Sequence, residues 1–228
     1  MGARRKRWSN QCLIGLTGNI ASGKSSVAQW LARHPLVKAL DADLIAHEVL
    51  QPDGECHQPV LDHFGRGILQ ESGGARPAID RGRLARLVFQ DERLLRELEA
   101  ITHPPIRRIL EARISASSEP IIVLEAIKLL ESSLRPELDF IWVVDAAEDV
   151  RQERLRTQRK MSAEVARQRI AAQAPQRDKL AQADVVIENG GNWEDTKRQV
   201  EAALALVLER LPDPAGESAG TANGMNTV

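Results

Sequence analysis

The strongest chemical signal lies near the start of the chain, where Gly18-Asn19-Ile20-Ala21-Ser22-Gly23-Lys24-Ser25 fits GxxxxGK[ST] at every fixed position. The string directly follows the apolar run Leu13-Ile14-Gly15-Leu16-Thr17 and directly precedes a helical pattern, the context this motif requires. In such a loop, backbone N–H groups wrap a phosphate and the following helix N-terminus adds its dipole. Lys24 would reach the β- and γ-phosphates of a nucleoside triphosphate, and Ser25 would offer a hydroxyl to Mg²⁺. The chain contains no Asn-Lys-x-Asp string of the kind that reads guanine, which favours ATP as the nucleotide.

Phosphoryl transfer also needs a carboxylate that orients, and can deprotonate, the attacking hydroxyl. Asp41 and Asp43 stand just beyond a second strand, at the carboxyl edge where open α/β sheets place ligands. Both can instead serve as helix-capping acids. Glu125 follows a third strand, at the place of a carboxylate near Mg²⁺, or is an exposed turn acid. Lys128 and Glu131 have the spacing of a helical ion pair. His103 before Pro104-Pro105 reads equally well as the end of a helix. Residues 151–179 hold nine Lys or Arg against three acids. They make either a solvated basic helix face or a lid whose cations, with Arg159, Lys160 and Arg154 nearest, offset charge on a transferred phosphoryl group.

These residues need a scaffold, and the pattern of the rest suggests which. Five short apolar runs, at 13–17, 37–40, 121–124, 140–144 and 185–187, alternate with helical stretches, the signature of a parallel α/β sheet. Residues 52–118 interrupt the alternation with helical periodicity and no convincing strand, and read as a helical insertion. Residues 71–77 within it are Gly- and Ser-rich and read as a loop, and disorder is expected in the tail from Pro212. At this length there is little room for the coupling elements of an ATP-driven motor, and the insertion suggests an acceptor site over the phosphate loop.

With 31 basic and 32 acidic residues the formal charge is −1, which removes a charge-driven case for nucleic-acid or membrane binding. Two cysteines without a CxxC or Cys/His cluster indicate neither a disulfide framework nor a zinc site. No apolar run is long enough to span a bilayer, and the basic start is not followed by the apolar stretch of a signal peptide. A cytoplasmic protein is expected; oligomeric state is left open.

Together these residues resemble the dephospho-CoA kinase family, over residues 13–206. Leu16-Thr17-Gly18 with Ser22-Gly23-Lys24-Ser25-Ser26 is similar to its phosphate loop, and Asp41-Ala42-Asp43-Leu44-Ile45-Ala46 to its DAD-x-IA signature. Phe64-Gly65, Asp80-Arg81 with Leu84, Phe89, Leu98-Glu99 and His103-Pro104 follow in the family's order. Arg154-Leu155, Arg159, Gln173 and Ala183-Asp184-Val185-Val186-Ile187-Glu188-Asn189 resemble its lid and final strand.

The resemblance implies transfer of the ATP γ-phosphoryl group to the ribose 3′-hydroxyl of dephospho-CoA. It implies a nucleotide-kinase-like core at 11–51 and 119–210, a mobile lid at about 154–179, and a CoA-binding insertion at 52–118. Lys24, Asp43 and Arg159 would be catalytic, with Asp43 preferred over Asp41. The nucleotide would meet Gly18, Asn19, Ile20, Ala21, Ser22, Gly23, Lys24, Ser25, Ser26 and Asn189. Asp43, Arg81, Leu84, Phe89, His103 and Lys128 would meet the acceptor, and Ser25 and Glu125 would hold Mg²⁺.

The chain departs from the family where Asn19 and Ala21 replace common glycines. It departs again where Glu125-Ala126-Ile127-Lys128-Leu129-Leu130-Glu131 stands in place of Asp-x-Pro-Leu-Leu-x-Glu. Two other readings stay open: a P-loop kinase for a nucleoside or nucleotide, using Arg81, Arg83 and Arg86, and a nucleotide-binding regulator that has lost transfer.

Overall fold

The computed structural model describes residues 7–8, 10–71 and 76–211. The tail from Pro212, residues 4–6 of the basic start and most of the 71–77 loop lie outside the described residues. All five expected apolar runs are strands: β1 (Cys12–Thr17), β2 (Val37–Asp41), β3 (Ile121–Glu125), β4 (Phe140–Asp145) and β5 (Val185–Glu188). They form one parallel sheet in the order β2-β3-β1-β4-β5. The chain leaves β1 toward β2 on one side and leaves β4 toward β5 on the other. The crevice between the carboxyl ends of β1 and β4 is therefore the switch point where open α/β sheets bind ligands.

Both sheet faces are covered, which is why the strands read as continuous apolar runs. Side chains alternate between two cores. Ile14, Leu16, Ile121, Val123, Trp142 and Val144 pack beneath α1 (Lys24–Leu31) and α9 (Trp193–Leu208). Leu13, Leu40, Ile122, Leu124, Ile141 and Val143 face α2 (Ala42–Glu48) and the segment leading to β3. That segment carries α3 (His57–Phe64), α4 (Arg81–Val88) and α5 (Glu92–Ser115), whose Val60, Leu84, Leu110 and Ile114 join the same core. It adds one antiparallel bridge, Leu69 to Ile79.

The helix expected to end near His103 does not end there: α5 runs through Pro104 and Pro105. A proline has no N–H for the carbonyl one turn back. For Pro105 that carbonyl belongs to Ile101, and the Cys56 thiol donates to it at 3.7 Å. Between β4 and β5 the basic stretch forms α6 (Glu148–Thr157), α7 (Ala163–Ala171) and α8 (Gln176–Leu180). Leu155, Ala166 and Ile170 make a small core of their own, packed against Ile20 and Ala21 of the phosphate loop.

Candidate functional site

The loop after β1 is shaped by two glycines. Gly18 has φ +148°, and a side chain there would run into the Val144 carbonyl of β4. Gly23, with φ +98°, caps α1, and a Cβ would collide with the Asn189 amide. Ala21 is also left-handed, at φ +61°. A non-glycine residue pays about 1–2 kcal/mol for that conformation, and the methyl is seated against the core of α6 and α7. The loop is held from outside as well. Asn189, just after β5, donates to the Ser22 carbonyl at 2.7 Å and accepts from Thr196 Oγ1 at 3.0 Å. Arg154 donates to the Ala21 and Ser22 carbonyls at 3.2 and 3.1 Å and to the Asn189 carbonyl at 2.5 Å.

The charged groups converge at the carboxyl ends of the strands. Glu125 ends β3 buried, so it is not an exposed turn acid, and accepts from Ser25 Oγ at 2.6 Å. The two aspartates divide their roles. Asp41 caps α2 by accepting from the Leu44 N–H at 2.9 Å, and Asp43 is free of that duty. Asp43 is exposed over its surface as a whole. Partial desolvation of its carboxyl still raises its pKa, against the pull of Lys24, the Ile127 N–H and Arg81. Burial also raises Glu125, with the Ser25 hydroxyl acting the other way. Lys24 is 7 % exposed; burial lowers its pKa, against the attraction of Glu125 and Asp43, and Arg159 lies close enough to push it further down.

Beside this cluster opens a cavity of about 720 Å³ lined by Lys24, Ser25, Trp30, Arg154, Arg159 and Trp193. Ala21, Gly23, Ser26 and Asn189 also reach it. Trp30 and Trp193 meet edge to face at 6.3 Å between ring centres. The cavity joins a glycine-bearing loop at a helix N-terminus to five cations, Arg33 and Lys197 among them, and an aromatic wall, which suits a nucleotide's phosphates and base.

Acceptor-side expectations fare unevenly. Leu84 needs correction: at 3 % exposed it is part of the core and has no surface left for a ligand. Lys128 pairs with Glu99 of α5 at 3.1 Å, rather than with Glu131. His103 lies exposed on α5, one turn beyond Glu99. Phe89 ends α4 with 70 % of its surface exposed. Arg81 donates to His47 Nδ1 at 3.0 Å and acts electrostatically on Asp43. Arg83, considered for a nucleotide acceptor, is taken by the Leu69 carbonyl at 3.1 Å and the Glu71 carboxylate.

Sequence reasoning overlooked most of the contacts that the α7–α8 turn and α8 make with the loop. Gln173 accepts from the Ile20 N–H at 2.7 Å, Gln176 from the Asn19 N–H at 3.0 Å, and Lys179 donates to Asn19 Oδ1 at 2.9 Å. Their spacing of three was the available signal, hidden within a strongly basic stretch.

A family model described as dephospho-CoA kinase matches residues 12–195. The chain belongs to the dephospho-CoA kinase family. A dephospho-CoA kinase of Geobacter sulfurreducens is 39 % identical over 196 residues, covering 85 % of this chain and 97 % of that protein. A Thermus thermophilus protein of known crystal structure is 33 % identical with a TM-score of 0.74, covering 87 % of this chain and 98 % of its own. A solved dephospho-CoA kinase from Campylobacter jejuni, at 24 % identity and TM-score 0.54, shares the fold over 86 % of this chain and 97 % of its own. Membership gives the family's reaction class to the chain.

Proposed function

We propose that the chain moves the γ-phosphoryl group of ATP to the ribose 3′-hydroxyl of dephospho-CoA, giving CoA and ADP, with Lys24, Ser25 and Asp43 as working groups. The observation that carries the residue assignments is the meeting of Lys24, the Ser25–Glu125 pair and Asp43 at one end of the sheet, 2.6 Å apart in the case of the pair. Loop N–H groups and Lys24 hold the phosphates, and Trp30 and Trp193 wall the nucleotide side. Asp43 orients the 3′-hydroxyl and takes its proton as the new O–P bond forms and the bond to the ADP oxygen breaks. Partial desolvation raises its pKa, which makes it a better proton acceptor than an ordinary aspartate. Arg159 faces the charge that builds on the transferred group. Arg81 and the exposed Phe89 stand on the acceptor side.

Ser25 Oγ and the Glu125 carboxylate are hard oxygen donors, and no group of three or more His, Cys, Asp or Glu gathers for a metal among the described residues. Such a pair suits Mg²⁺, which takes most of its ligands from water and phosphates. Bound there with the nucleotide, the ion supplies charge that offsets the phosphates. No helix among the described residues is long and apolar enough to cross a membrane, and the balanced charge gives no pull toward nucleic acid; a cytoplasmic location is part of the proposal and rests on the ATP-dependent reaction. Lys24→Ala should lower CoA formation at least about 100-fold by removing charge from the transition state, and near-normal turnover would contradict the assignment. Chelating Mg²⁺ should abolish transfer, whereas persistence in excess chelator would remove the ion from the account.

A further inference from the structure

One more charge is buried at this end of the sheet. Lys179 of α8 is 5 % exposed, and its ammonium donates to Asn19 Oδ1 at 2.9 Å. The Asn19 amide nitrogen donates to the Ala174 carbonyl at 3.2 Å, which fixes the amide with its oxygen toward Lys179. An amide oxygen is a neutral partner and leaves the positive charge uncancelled. Glu131 and Asp43 are the acids that attract the ammonium, and Arg151 and Lys24 repel it. Arg151 Nη1 is itself buried without a hydrogen-bond partner. Gathering ammonium and guanidinium groups away from water is unfavourable unless an anion joins them. A tether to the loop needs no charge, because Gln176 of α8 and Gln173 in the turn before it supply two neutral ones, at 3.0 and 2.7 Å.

We infer that Lys179 is a second cation of the phosphate site, aimed by the side chain of Asn19 at the phosphoryl group as it passes from the Lys24 side to the Asp43 side. The inference rests on the reaction proposed above. It also gives a purpose to the Asn19 side chain: its amide is what holds Lys179 in line.

Lys179→Met should lower kcat for CoA formation about 100-fold, the loss typical of one preorganised donor, while the dissociation constant for ATP stays within about threefold. Lys179→Arg keeps the charge and should recover at least about tenfold of that loss. Asn19→Gly should cost about tenfold alone and nothing further in the Lys179→Met background, as expected of residues acting through one contact. Turnover of Lys179→Met within about threefold of the parent, an arginine variant no better than the methionine one, or additive losses with Asn19→Gly would each overturn the inference. The parent enzyme run alongside tests the reaction itself. Binding of ADP with fluoroaluminate, a mimic of the transferred group, reads Lys179 separately from turnover. Lys179→Met should weaken that complex about 100-fold with ADP alone unchanged, and equal affinity for parent and variant would overturn the assignment even in an active enzyme.

Discussion

Asp41 and Asp43 have the same chemistry and stand two residues apart, yet one local contact separates their roles. Asp41 is taken by the N–H of Leu44, which leaves Asp43 to the cleft. Asp41→Ala should therefore lower stability by about 1 kcal/mol, the usual worth of an N-cap, with kcat changed only a few-fold. Asp43→Asn should lower kcat about 100-fold or more and raise Tm. The sign follows from its raised pKa: the folded state holds the ionised form less well than the unfolded chain, so its contribution to stability is lost as pH rises through the folded value. Denaturation curves and kinetics of both variants check this, and a Tm that falls in Asp43→Asn would contradict it. The same shifts set the pH profile of kcat/KM. The acidic limb should lie above the ordinary aspartate value of about 3.9, and the alkaline limb should come in below the ordinary lysine range because burial lowers Lys24. An acidic limb at or below about 3.9 would contradict Asp43 as proton acceptor. At this scale the phosphate loop was legible because its spacing is its chemistry. The residue types alone left the two aspartates open and the preference for Asp43 came from the family resemblance, for which the cap at Asp41 supplies a physical reason; Leu84 was misplaced because nothing in a sequence string separates a core leucine from a ligand-facing one.

Among the elements, the strands were the most legible, since burial on both faces leaves uninterrupted apolar runs. The end of α5 was not legible: the helix runs on through Pro104 and Pro105, and the Ile101 carbonyl that Pro105 cannot serve is met by the Cys56 thiol from 45 positions earlier in the chain. The basic stretch after β4 is more than a solvated face: α6 and α7 rest on the loop through Leu155, Ala166 and Ile170, with Ile20 and Ala21 beneath them. Leu155 is fully buried. Leu155→Ala should cost about 2–5 kcal/mol by opening a cavity, and the loss should be local. Hydrogen exchange should quicken across α7 and α8 while β1, β3 and β4 keep their protection. Uniform acceleration across the sheet would show that this small core is not a separate unit. Its contacts with the loop were unreadable because they join residues more than 130 positions apart.

At the scale of the molecule, the order β2-β3-β1-β4-β5 places the loop, Glu125 and Asp43 at the carboxyl edge of one sheet. The segment of 52–118 shares a core with that sheet through Leu40, Leu124 and Leu110, so it is continuous with the strands that carry the charged groups. Fold class and reaction class could both be reached from the sequence, since ordered motifs from the loop to Asn189 fix them. The seating of α8 on the loop needed coordinates. The central claim, transfer from ATP to dephospho-CoA, is tested most directly by incubating the protein with Mg²⁺-ATP and dephospho-CoA and quantifying CoA and ADP together by chromatography, with adenosine, AMP and shikimate as parallel acceptors. The account predicts CoA and ADP in equal amounts and product with dephospho-CoA alone; no CoA from a preparation that binds ATP, or faster transfer to another acceptor, would contradict it.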